Sequence, residues 1–147
     1  MAESKYGKYI VKRPPERFLD EWSDTRKVSV FVDEEAVEGG YYLQGTWWYK
    51  ASDEAHPDKS HMHDFDEYLG FVGTNPDDPL DLGGEVELWL GDEKHMLTES
   101  CVVFVPAGVA HCPVYFRRVD SPIWFFATGP QKKYEKEDNK SFDYKQK

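Results

Sequence analysis

Three side chains in one short stretch have the types and spacing to do chemistry together. His61, His63 and Glu67 lie within His61-Met62-His63-Asp64-Phe65-Asp66-Glu67. In an extended chain, side chains two residues apart share a face, so both imidazoles point to one side. A short bend between His63 and Glu67 would bring the carboxylate to the same point. Two nitrogens and one oxygen make a borderline-hard donor set, suited to Mn, Fe, Co, Ni, Zn or Cu. One further histidine would complete four ligands. His56 sits in a polar loop beside Pro57, His95 opens a strand after a hairpin turn, and His111 begins a strand directly after Pro106-Ala107-Gly108. A tight turn fixes the direction of the side chain that follows it. His111 is therefore the better candidate on local grounds.

The elements that must hold these groups read as strands. Val28–Val32, Tyr41–Lys50 and Tyr68–Val72 are rich in β-branched and aromatic residues. Glu85–Leu90 alternates, with Val86, Leu88 and Leu90 on one face. Gly91–Lys94 is a hairpin turn leading to His95–Thr98. Cys101–Val105 reads as a short buried strand, and His111–Phe116 and Ile123–Ala127 complete the set. Gly45 in the second strand marks a bulge or bend. The stretch Gly73–Gly84, with Pro76 and Pro79, reads as a surface loop; its acids fit no EF-hand spacing. Pro15–Trp22 predicts one short helix with proline at its start, an arm packed on the outside of a sheet. The division expected is an arm over residues 1–26, a β domain over 27–130 and a charged tail over 131–147. Strands of this length separated by turns, with almost no helix, predict an all-β sandwich or barrel.

Composition limits the partners. A chain of 147 residues suffices for one domain with a real core. Between Lys27 and Pro130 stand 6 Lys or Arg against 19 Asp or Glu, so there is no basic stripe for nucleic acid. No run approaches the ~18 apolar residues of a membrane span. Met1–Pro15 has no apolar signal-peptide core. The two cysteines, Cys101 and Cys112, lie in apolar runs and indicate no disulfide framework. The expectation is a soluble protein of the cytoplasm.

His61-x-His63-x3-Glu67 followed by Pro106-x-Gly108-x2-His111 resembles the two sequence motifs of the cupin superfamily. The departures are Ser100 where the second motif opens on Gly, Tyr115 where it has Asn, and Gly73 one residue early for the Gly that closes the first motif. The resemblance spans about residues 41–127. It implies a cupin jelly-roll β-barrel (double-stranded β-helix) with one divalent transition metal ion inside, held by His61, His63, Glu67 and His111. It also implies a homodimer built through outer sheets and terminal arms.

Three neutral imidazoles and one carboxylate would leave an octahedral ion two open positions, suited to a bidentate hydroxy acid, keto acid, diol or enediol. Such a centre serves oxygenase, isomerase, epimerase, lyase or decarboxylase chemistry, and the fold does not choose among them. The expected function is a metal-dependent enzyme acting on a small oxygenated substrate. The alternative is a non-catalytic cupin that binds a small ligand through its metal, as sensor or carrier. Strand parity counted from His61 places Leu69 and Phe71 inward, and parity from His111 places Pro113 and Tyr115 inward. Tyr115 is then the candidate catalytic hydroxyl. No Arg or Lys is expected to enter the pocket, which disfavours a strongly anionic phosphosugar.

Overall fold

The computed structural model describes residues 4–56 and 59–131. The charged tail expected from residue 131 lies, apart from Gln131, outside the described residues. Among the described residues, eight strands follow a 3-10 turn at Gly7–Tyr9 and a one-turn helix, α1 (Glu16–Leu19). They are β1 (Arg26–Val32), β2 (Leu43–Trp48), β3 (Glu67–Val72), β4 (Asp81–Leu90), β5 (Glu93–Glu99), β6 (Cys101–Val105), β7 (His111–Val119) and β8 (Ile123–Thr128). One sheet has five strands in the order β1-β2-β8-β3-β6, and the other has three in the order β5-β4-β7. Every pairing is antiparallel. This is the expected all-β architecture, two antiparallel sheets facing one another.

Aromatic packing between the sheets closes the barrel. Trp48 of β2 stacks on Phe116 of β7, centroids 3.9 Å apart at an interplanar angle of 13°. Phe71 and Phe125 pack against the same Phe116 ring. Phe71, Leu82, Val86, Leu88, Val114, Phe116 and Ile123 are fully buried. Large aromatic area removed from water supplies most of the driving force at such an interface.

The register of β2 fixes which of its faces points inward. Its register against β8 runs unbroken from Leu43–Thr128 to Trp48–Ile123. The irregularity expected at Gly45 instead falls in β1, between Val28 and Val30. Gly45 serves close packing instead, since a Cβ there would press on the Trp124 ring and the Val30 side chain. Tyr42, Gln44, Thr46 and Trp48 consequently face the cavity.

Three other expectations change. β4 starts at Asp81, so the predicted Gly73–Gly84 loop is shorter; the Gly83-Gly84 pair lies in a bulged start of the strand, where glycine lowers any strand signal. β6 is an edge strand and not a buried one: Val102 and Phe104 are 57% and 51% exposed. Its apolar run arises because the outer face of the large sheet is also apolar. The N-terminal helix is one turn long, and it does not lie outside a sheet. Phe18 packs on Phe31 with centroids 4.7 Å apart, and Phe18 and Glu21 help line the cavity. Finally, the two motif departures Gly73 and Ser100 meet. Gly73 N–H donates to Ser100 Oγ at 2.9 Å, and the Ser100 hydroxyl donates to the Pro79 carbonyl at 2.8 Å, tying down the loop before β4.

Candidate metal centre

The backbone brings the two motifs together first. His61 and His111 form an isolated antiparallel bridge, with His61 N–H donating to His111 O at 3.0 Å and His111 N–H to His61 O at 2.9 Å. Residues paired in this way present their side chains on one face, and the two rings lie 4.4 Å apart. The turn before His111 is held at several points. Val109 N–H closes it on Pro106 O at 3.1 Å, and Gly108 N–H donates to His63 O at 2.8 Å. Ala107 N–H donates to Asp66 Oδ1 at 2.9 Å. Gly108 has φ +81°, a left-handed conformation that glycine adopts without a Cβ penalty. The expected bend at Asp64 and Phe65 then delivers Glu67 as the first residue of β3. Phe65 stacks on the His63 ring, centroids 4.6 Å apart.

All four predicted ligand residues are buried: His61, His63, Glu67 and His111 are 4%, 3%, 3% and 1% exposed. His63, Glu67 and His111 each offer a donor atom within 4.8 Å of the other two. His61 joins through His111 in a second triad of the same spacing, whose third member is Cys112. Glu67 Oε1 lies 3.0 Å from His111 Nε2 and 3.6 Å from His63 Nε2.

The ring nitrogens are oriented by the backbone. His61 Nδ1 is 3.0 Å from Lys59 O, and His111 Nδ1 is 3.0 Å from Val109 O. A carbonyl only accepts, so each Nδ1 carries the proton and donates. In the neutral imidazole this leaves a lone pair on Nε2, the arrangement found when backbone carbonyls orient metal-binding histidines. His111 Nε2 is fully buried and makes no hydrogen bond. Its lone pair and a carboxylate oxygen face one another at 3.0 Å. A cation between them resolves that repulsion, so the donor set fits a divalent metal ion.

Tyr115 is not among the residues that line the cavity. Val114 and Phe116 on either side of it are fully buried inward, and Tyr115 pairs across β4 with Glu87. The Arg117 guanidinium lies 3.9 Å above its ring and also pairs with Glu87 at 3.2 Å. The expected parity fails because Cys112 has φ +74°, which is not a strand conformation, and resets the alternation just after His111. Leu69 and Phe71 are inward as expected, both buried.

The cavity beside the cluster encloses about 230 Å³. Leu69, Trp48 and Phe125 form apolar walls, and Gln44 and Thr46 add polar groups. Contrary to the expectation that no Arg or Lys enters the pocket, Arg26, at the start of β1, lines the cavity. It pairs with Glu21 at 3.6 Å. Burial lowers the Arg26 pKa from its ordinary value, and the Glu21 carboxylate opposes that shift. An arginine at the polar end of a strand carries no local signal that it will face inward.

No family model matches the chain, and no curated protein matches it. Among solved structures, 123 chains match. KdgF from Halomonas sp. is 15% identical, with 75% of this chain covering 79% of that one at a TM-score of 0.43. Oxalate oxidase in complex with the substrate analogue glycolate is 11% identical, with a TM-score of 0.48. There 77% of this chain covers 54% of the other, so the chain spans about half of that protein. A sugar phosphate isomerase from a cupin superfamily, from Silicibacter pomeroyi, is 15% identical, with 72% of this chain covering 59% of it at a TM-score of 0.46. The two antiparallel sheets and the clustered His and Glu side chains define the class: an all-β, two-sheet barrel with a candidate metal centre inside. At these identities the likeness concerns shape and brings no activity to this chain.

Proposed function

We propose that the chain is a metal-dependent enzyme acting on a small oxygenated organic substrate. His61, His63, Glu67 and His111 hold one divalent transition metal ion from the Fe, Mn, Ni, Zn, Co and Cu group. The observation that supports this most is the buried His111 Nε2, without a hydrogen bond and facing Glu67 Oε1 at 3.0 Å. When bound, the ion supplies Lewis acidity to a substrate oxygen. Glu67 and the three imidazoles fix its position, with the carbonyls of Lys59 and Val109 orienting two of the rings.

The other residues lining the cavity support a substrate class. Arg26 offers a guanidinium that is partly withdrawn from water, where a charge-assisted hydrogen bond to a carboxylate is strong. Its charge is shared with Glu21, so a monoanion suits it better than a phosphate dianion. Gln44 and Thr46 can orient hydroxyl or carbonyl groups, while Trp48, Leu69 and Phe125 exclude water. The substrate read from these walls is a small hydroxy or keto acid.

The test is elemental analysis of protein purified without chelators or a histidine tag, followed by incubation of the loaded protein with hydroxy acids, keto acids and neutral diols. Turnover of an acid, weakened in KM by Arg26→Gln, supports the reading. Absence of bound metal overturns it. Tight binding without turnover would favour a sensor or carrier.

The same reading includes a homodimer in the cytoplasm. The outer face of the five-stranded sheet exposes Val30, Tyr68, Val102 and Phe104, with Trp47, Trp124 and Phe126 partly buried between them. A contiguous apolar face of this kind is usual for a protein interface. Cys101 and Cys112 form no disulfide, which suits a reducing compartment. Among the described residues, no helix is long and apolar enough to cross a membrane.

A further inference from the structure

One buried nucleophilic group beside the cluster has no part in the reading above. Cys112 follows His111 directly on β7, is 3% exposed and lines the cavity. In a regular strand, successive side chains leave opposite faces of the sheet, so a residue next to His111 should point away from the cluster. Cys112 does not. Its φ of +74° is the only positive value at a non-glycine residue among those described. That conformation is disfavoured for any side chain with a Cβ, and such departures concentrate where a site requires them. Here it returns the thiol to the side occupied by His111. His61, His111 and Cys112 each offer a donor atom within 4.8 Å of the other two.

We propose that Cys112 Sγ is a metal ligand, forming with His61 and His111 a triad of two nitrogens and one sulfur. This rests on the reading that the cluster holds a divalent ion. The two triads share His111, whose buried Nε2 makes no hydrogen bond. One set ends on a hard carboxylate, Glu67, and the other on a soft thiolate. Tetrahedral zinc, with Zn–S of ~2.3 Å and Zn–N of ~2.0 Å, sets neighbouring donors roughly 3.5 Å apart. The three donor atoms here lie within 4.8 Å of one another, so closing on an ion takes an approach of at most roughly 1.3 Å per pair. On coordination the S–H bond breaks, its proton passes to solvent and a metal–sulfur bond forms, with no change of oxidation state. A thiolate in the set favours zinc, cobalt(II) or copper over manganese or magnesium.

Cobalt(II) alone is the probe, added to the full chain after chelator treatment. A thiolate bound to cobalt(II) gives an intense near-ultraviolet charge-transfer band that imidazole and carboxylate ligands lack. The wild type should show that band at one equivalent. Cys101→Ser should keep it; the chain has two cysteines, so this assigns the sulfur to Cys112 even if Cys112→Ser fails to fold. A folded Cys112→Ser variant should lose the band and still bind cobalt(II). Its zinc affinity should fall by at least the roughly ten- to hundred-fold that losing an outer-shell partner costs, with manganese affinity unchanged. Cobalt(II) bound by the wild type without the band overturns the cysteine ligand and leaves the His and Glu site standing. A wild type that binds no cobalt(II), zinc or manganese overturns both.

Discussion

His111 Nε2 lies 3.0 Å from Glu67 Oε1 with both side chains 3% exposed or less, although His111 Nδ1 already donates to the Val109 carbonyl. Two acceptor atoms are thus held together by different parts of the fold, one by the turn before β7 and one by the start of β3. Removing His111 should therefore abolish stoichiometric metal uptake. His111→Ala that retains one equivalent of metal, measured by elemental analysis, would remove this residue from the ligand set. Metal at 100 times its dissociation constant should stabilise the wild type by about 2.7 kcal/mol. For a domain of this size that raises Tm by roughly 5–10 °C. Chelation should reverse the shift in a thermal melt, and His111→Ala should show none.

Tyr115 should be dispensable for chemistry. Its ring lies beneath Arg117 and is not part of the cavity lining. Tyr115→Phe should leave metal content and turnover unchanged within about two-fold, because the ring and its cation–π contact survive. A loss of kcat with normal metal content would return Tyr115 to the site.

Gly73 should resist enlargement. A Cβ there would collide with the Asp81 carbonyl, a backbone atom that no side-chain rotation can move. Gly73→Ala should destabilise by about 1–3 kcal/mol, the usual cost of overpacking. A melt indistinguishable from wild type would show that the start of β4 yields more readily than its hydrogen bonds suggest.

Phe104 should report on assembly. It is 51% exposed on the edge strand β6, opposite the 49% exposed Tyr68 on β3. Placing a carboxylate in a buried apolar interface is strongly unfavourable. Phe104→Glu should convert a dimer to a monomer in light scattering with little change in Tm of the isolated chain. A monomeric wild type would show that this face has another use.

The sequence by itself marked out the strand segments, the all-β class and four candidate metal ligands, His61, His63, Glu67 and His111, that the fold buries close together. Those features are local: hydrophobic alternation, a turn written as Pro106-Ala107-Gly108, and histidines spaced to share a face. They are visible because each depends on neighbours a few residues away.

Tertiary structure decided what depends on partners distant in sequence or on a single backbone angle. The inward face of β2 follows from its register with β8, and Gly45 left that open until Trp124 and Val30 were seen to fill the space above it. The exposure of Val102 and Phe104 follows from β6 lying at a sheet edge, since an apolar run reads alike at an edge or in a core. Arg26 enters the cavity because β1 pairs with β2 as far as Arg26–Trp48. The positive φ at Cys112 turned Tyr115 outward and the thiol inward, because a strand's two-residue alternation survives only while every residue keeps an extended backbone.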